Sequence, residues 1–351
     1  MTATLICALF LTKMPEWAIN GNNAIVWEGK PYLPVGLQID GSVESVNEAA
    51  KAGVKDLLIE LPADGTGWAA IFKACDDLGE RYMVGVKTPP PTREAVIVDP
   101  AGYRITDIQR KTQVDLLVPD ASEVLLVLAT VRDGSVRWSR RVPIINGRLT
   151  ELIDPQVELP HTLLIFPIVK SQEAPDFFEG LDEHRDRLLA SFNKNKPGPG
   201  FRGIIDPIGS HVQFPGPSTR FVPLSRLFQT ELATYLETKY ASVATALKSW
   251  GVATNDVKDF AHLSRLVPLW TETRGVQQIW DASGDRLYSV DRHTSMAWQY
   301  IRTVLRSVAA RRTKNLIENL QQQASAPVIM SWTGWDTPTS ISDIPIDGLA
   351  F

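Results

Sequence analysis

A chain of 351 residues with 44% hydrophobic and 22% charged residues can bury a large core, and its composition is not that of a disordered or fibrous protein. The net charge of −4 comes without a basic run, which removes the electrostatic footprint of a nucleic-acid binder. Cys7 and Cys75 are the two cysteines, too few for a disulfide framework or a thiolate metal cluster.

The opening MTATLICALFLT is apolar, lacks the basic region of a secretory signal, and is too short to span a membrane. Residues 1–23 are therefore expected to be a leader, possible signal peptide included, with a secreted or periplasmic location left open. A hairpin over Ala24–Pro31 follows. Tyr32–Ile39, Lys55–Leu61 and Tyr82–Val86 then read as strands, and the apolar run Leu57, Leu58 and Ile59 in the second suggests burial on both faces, as parallel strands require. Between them, Ser42 should cap one helix, and Ile71, Phe72, Cys75 and Leu78 mark a second. Strand-helix-strand over 24–94 is the rhythm of a parallel α/β sheet.

That rhythm breaks at Ala95. Apolar alternation replaces helical spacing as far as Val169, punctuated by Pro119-Asp120, Asp133-Gly134, Asn146-Gly147 and Asp154-Pro155. Asp-Gly and Asn-Gly between such runs are hairpin turns. An antiparallel β-sandwich inserted over 95–172 is the expectation. From 173 onward a helix beginning at Asp176, a strand at Gly203–Ile205, a helical block with Leu224, Phe228, Leu232 and Leu236, and a loop with Trp280-Asp281 succeed one another. A long helix over Asp285–Gln323, a strand at Pro327–Met330 and a last strand near 347–351 complete the chain. The fold class read from this is α/β, a TIM-type barrel of about six strands, two short of the usual eight, with the sandwich inserted after its third strand. Such a count implies a longer chain or a barrel closed some other way.

Lys239-Tyr240, Ala246-Leu247 and Ser249-Trp250-Gly251 resemble a helical segment of glycoside hydrolase family 42, the β-galactosidase family. Weaker likeness runs over Trp27–Thr88 and from Leu287 onward. In that family the segment follows barrel strand four, which ends in Asn-Glu, then Tyr-Gly and often a His. Gly209 and His211 suit this pattern, but Asp206 stands where the Asn belongs and Pro207 where the acid/base Glu belongs. The resemblance implies a barrel and retaining hydrolysis of a β-linked sugar by two carboxylates. Its acid position is Pro207, which has no proton to give, and its nucleophile position lies beyond Phe351.

Barrel chemistry sits at the carboxyl ends of strands. Asp206 and Glu60 end two of them and are the catalytic candidates, with Asp206 the nearest substitute for the acid. Asp40, His211, Trp332, Trp335 and Asp336 are the sugar-binding candidates, the two indoles as stacking surfaces. Loop-ordering is an equal account of each carboxylate. The five histidines, His161, His184, His211, His262 and His293, form no metal-ligand spacing, and no glycine-rich phosphate loop or Gly-x-Ser-x-Gly elbow is present. No cofactor is expected. Two functional readings follow: a glycoside hydrolase-like enzyme, or a carbohydrate-binding or scaffold protein that has lost its acid at position 207.

Overall fold

A computed structural model describes residues 17–22, 24–87, 92–99, 103–171, 174–209, 215, 219–271, 275–331 and 348–350. Trp17–Ile19 (β1), Ile25–Trp27 (β2) and Lys30–Pro31 (β3) form an antiparallel meander. Its first strand falls within the stretch expected as a leader; residues 1–16 of that leader lie outside the described residues.

Leu37–Asp40 (β4), Val43–Lys51 (α1), Asp56–Leu61 (β5), Trp68–Leu78 (α2) and Arg81–Val86 (β6) alternate as the apolar spacing dictates. Ser42 caps α1, its hydroxyl oxygen accepting from the Ser45 amide at 3.1 Å. Gly36 is required by close approach: a Cβ there would stand 1.7 Å from the Asp56 carbonyl oxygen. Seven strands then fill the expected insert: Ala95–Ile97 (β7), Arg104–Ile108 (β8), Thr112–Leu117 (β9), Ala121–Thr130 (β10), Val136–Pro143 (β11), Arg148–Ile153 (β12) and His161–Val169 (β13). Glu179–Lys194 (α3), Phe201–Ile205 (β14) and Phe221–Pro223 (β15) follow. Next come Arg226–Lys239 (α4), Val243–Trp250 (α5) and Phe260–Leu263 (α6), then Leu266–Trp270 (β16), Gly275–Asp281 (β17) and Arg286–Ser289 (β18). Ala297–Ala324 (α7), Val328–Ser331 (β19) and Gly348–Ala350 (β20) end the described chain.

One six-stranded sheet has the order β4-β5-β6-β14-β19-β20, with every pairing parallel. Each strand lies beside its predecessor in the chain. Right-handed crossovers that always step the same way put their helices on one face. Ile39, Ile59, Val84, Ile204 and Val328 form one lateral row on that face and share a core with Val46 of α1, Phe72 of α2, Leu188 of α3 and Leu316 of α7. Among the described residues β4 and β20 are the two open edges, so the sheet is not closed into a cylinder.

A second sheet is antiparallel, of order β11-β10-β13-β7-β15 with β8 beside β13, and β9 pairs with β12. Val124, Leu126 and Leu128 of β10 join Val114 of β9 and Leu149 and Ile153 of β12 in a small core. The alternate residues, Leu125, Val127 and Ala129, belong to the main core. The period of two along the strand thus feeds two cores at once. β15, far past residue 172, completes the sheet, so the insert is fused to the rest through shared strands and side chains.

Three expectations are corrected. The strand expected over Tyr32–Ile39 spans only Leu37–Asp40, and residues 32–36 lie in no strand. Trp280-Asp281, read as a loop, lies in β17, in the meander β16-β17-β18. The helix expected from Asp285 begins only at Ala297. Arg286–Ser289 pairs with Gln278–Asp281 instead, and Trp280 and Val290, whose apolar character suits either structure, are buried beside that hairpin. Spacing alone cannot separate a short buried strand from the start of a helix.

Because β10 serves both cores, Leu125→Ala and Leu126→Ala should each lower stability by about 2–5 kcal/mol, the range for a buried Leu truncated to Ala. Urea unfolding checks this, and a Leu125→Ala variant as stable as wild type would contradict the shared main core.

Candidate functional site

The other face of the parallel sheet carries Gln38, Leu58, Met83 and Gly203 in one lateral row, and Asp40, Glu60, Gly85, Ile205 and Ile329 in the next. Parallel sheets are normally covered on both faces. Here Gln38 and Asp40 are exposed, Leu58, Glu60 and Ile205 are half-buried, Met83, Gly85, Gly203 and Ile329 are buried, and none of the side chains in these rows belongs to the main core. The sheet therefore has one packed face and one that is open toward β4 and buried toward β6 and β19, and the carboxyl end of the open part holds Asp40 and Glu60.

Asp40 and Glu60 are direct partners across β4 and β5. The Glu60 carboxylate accepts from Gln38 Nε2 at 2.9 Å, a bond between side chains two residues apart in level on neighbouring strands. Asp40 Oδ1 accepts from the Ser42 hydroxyl at 2.8 Å and the Ser45 hydroxyl at 2.6 Å. Those bonds, that of Ser45 first, hold the exposed Asp40 carboxyl below its ordinary range. Asp40 thus orders the start of α1, whatever else it does.

Asp206 follows β14 at the same end of the sheet. It is buried, with φ +49, a left-handed conformation that few residues other than glycine adopt. Its N–H donates to the Ile329 carbonyl at 2.9 Å, and its carbonyl accepts from the Gly209 N–H at 2.8 Å. The second bond closes a four-residue turn with Pro207 at its second position, where the fixed φ of proline is favourable. Pro207, at the acid position of the family resembled, is a buried turn residue. His211, Trp332, Trp335 and Asp336 lie outside the described residues.

Two groups near this end were not among the expected site residues. His184 of α3 is fully buried and its Nε2–H donates to the Pro207 carbonyl at 2.6 Å. Burial holds its ring below the ordinary imidazole value, as does the nearby Arg187, although the Pro207 carbonyl acts in the opposite direction. Its signal in the sequence is its place between Leu181 and Leu188 on the apolar face of α3. Asp176 accepts from the Phe178 amide at 2.9 Å and the Gly180 amide at 2.7 Å, so it orders the start of α3. Arg93 stands 3.3 Å from Asp176 and 2.5 Å from Glu183. Burial nevertheless leaves the Asp176 carboxyl raised, against the pull of those amides and of Arg93.

The segment that carries the family resemblance is a packing device. Tyr240 Oη donates to Ser249 Oγ at 2.7 Å and meets Tyr300 Oη at 2.5 Å, tying the α4–α5 corner to α7. Lys239 Nζ lies 4.8 Å from the centre of the Tyr300 ring, within cation–π range. Trp250 is fully buried and Gly251, at φ +73, ends α5 in the left-handed conformation. Cys75 is likewise a core residue, its thiol pushed up to about 12 by burial.

A cleft of about 590 Å³ lies elsewhere, between the β10–β11 turn and the β17–β18 hairpin, lined by Asp133, Ser135, Gln277, Gln278, Ser289 and Arg292 among others. Asp133 is engaged there by the Thr130 hydroxyl and the Ser135 amide, which hold its carboxyl at about 2. Among the described residues no three His, Cys, Asp or Glu side chains gather as metal ligands, and no helix is long and apolar enough to cross a membrane. The chain matches no protein-family model, and no curated protein matches it at a significant level.

Titration of the Asp40 carboxyl by NMR should give a value below the ordinary aspartate range, rising in Ser45→Ala. The bonds to this carboxylate are in place above the unfolded aspartate value and are lost as pH falls through the lowered native value. Superimposable wild-type and Ser45→Ala curves would exclude the hydroxyl as the cause.

Proposed function

We propose that this chain is a carbohydrate-binding α/β protein of the glycoside hydrolase type, with its ligand at the carboxyl end of the parallel sheet. The fold reading that belongs to it is a TIM-type barrel similar to family 42, to which the six-stranded parallel sheet would contribute its strands. The observation that carries the proposal is the placement of Asp40, Glu60 and Asp206 at one end of a sheet whose strands follow chain order. Carboxylates and amides such as those of Glu60 and Gln38 are the groups that pair with sugar hydroxyls, and the open face gives them access.

Binding without hydrolysis is the form that the residues favour. Hydrolysis asks for one carboxyl that gives a proton and a second that attacks or activates water. Position 207 holds proline, with its carbonyl already engaged by His184. Asp206, buried just past a strand end, is the remaining candidate acid.

Calorimetry against a panel of β-linked oligosaccharides tests the proposal. Saturable binding is expected, weakened about tenfold or more by Glu60→Gln, the scale of a hydrogen bond to a charged group. No turnover of aryl β-galactosides is expected; turnover abolished by Asp206→Asn would install the hydrolase reading instead. A panel that yields no binding at all would remove the carbohydrate proposal.

A further inference from the structure

We infer that His184 is a positioning residue that holds the Asp206–Gly209 turn, an inference that rests on reading the carboxyl end of the sheet as the ligand site. His184 cannot touch a ligand, because its side chain is fully buried in α3. Its single described bond, from Nε2–H to the Pro207 carbonyl at 2.6 Å, crosses from the helix layer to the turn that follows β14. A carbonyl accepts only a proton carried on that nitrogen, so the neutral ring has Nε2 protonated and Nδ1 bare. Nδ1 is buried with no hydrogen-bond partner among the described residues, a cost that a merely space-filling side chain would avoid.

The turn needs such a hold. Asp206 sits at φ +49, and a left-handed aspartate persists only where its surroundings fix it. Three of the described bonds do so: Asp206 N–H to Ile329, Gly209 N–H to Asp206, and His184 to Pro207. The first two are bonds of the strand and the turn themselves, and the third is the tie to the helix layer. Removing the imidazole donor leaves the Pro207 carbonyl buried without it and frees the turn to relax toward a commoner backbone conformation. Asp206 would then leave the place that the end of β14 assigns to it.

The experiment compares His184→Leu, which loses the donor, with His184→Gln, whose amide supplies a donor at nearly the same reach. Amide hydrogen exchange of Asp206 and Gly209 should quicken about tenfold in His184→Leu, the scale of one lost buried hydrogen bond, with β5 and β6 unchanged. His184→Gln should restore slow exchange. Affinity for the best oligosaccharide of the panel should fall with His184→Leu and return with His184→Gln. Unchanged exchange at Asp206 and Gly209 in His184→Leu overturns the inference. So does uniform quickening across the whole sheet, which marks a merely structural role. If wild-type protein binds no oligosaccharide, the ligand reading fails alone, and the exchange data still decide the positioning role. Should His184→Leu not fold, nitrogen-detected NMR of the wild-type ring decides: Nε2 protonated and Nδ1 bare supports the inference, and the opposite tautomer ends it.

Discussion

The architecture depends on one topological constraint: each strand of the parallel sheet pairs with the strand before it in the chain. A crossover between parallel neighbours has a preferred hand, and repeating the same step sends every helix to the same side. A doubly wound sheet reverses direction once and so covers both its faces; over the described strands this one keeps a single direction. The consequence is asymmetry. One face packs Ile39, Ile59, Val84, Ile204 and Val328 against helices, while the opposite rows leave Gln38 exposed and Leu58, Glu60 and Ile205 half-buried. Polar side chains such as Gln38 and Glu60 are tolerated inside the length of a parallel strand because of that asymmetry, and their mutual hydrogen bond accounts for both.

The parallel strands were legible because their signal is local and redundant. KDLLIEL and RYMVGV are apolar over consecutive residues, Ser42 and Ser225 cap the helices that follow, and glycines end α2 and α5. The β10–β11 hairpin was legible for the same reason, since Asp133-Gly134 marks its turn; Asn146-Gly147 also marks a turn, but it joins β11 to β12, which pair with different strands rather than with each other. Pairing across distance was not. Nothing in Phe221–Pro223 says that it adds to a sheet begun at Ala95, and the six residues Leu287 to Arg292 carry no feature that excludes helix. The partly open face was hidden as well, because a run such as Asp56–Leu61 looks alike whether the second face meets a helix or solvent.

Candidate chemistry was legible only by position. Strand ends pointed to Asp40, Glu60 and Asp206, and the three do stand at one end of the sheet. What they bond to was beyond reach of the sequence. Ser42 and Ser45 are ordinary capping residues until both hydroxyls are seen to converge on Asp40. His184 shows the converse. It sits on an apolar helical face, and its partner is a carbonyl 23 residues further along the chain. Polar residues that interrupt an apolar face are therefore worth treating as clues to a buried acceptor across the core.

Position 207 links these points. A glutamate there would need a backbone able to present its side chain to solvent or ligand. The chain instead has Asp206 in the left-handed region, then proline, then a turn closed by Gly209, with every described backbone bond in that turn satisfied. Proline at the second position of such a turn narrows the unfolded ensemble and suits the native φ, so it stabilises the turn by an entropic route that a glutamate lacks. On the proposed reading, the residue that stands at the acid position of the family resembled is also the one that tightens the loop, so the residues at the end of β14 support recognition of a ligand more directly than they support its cleavage.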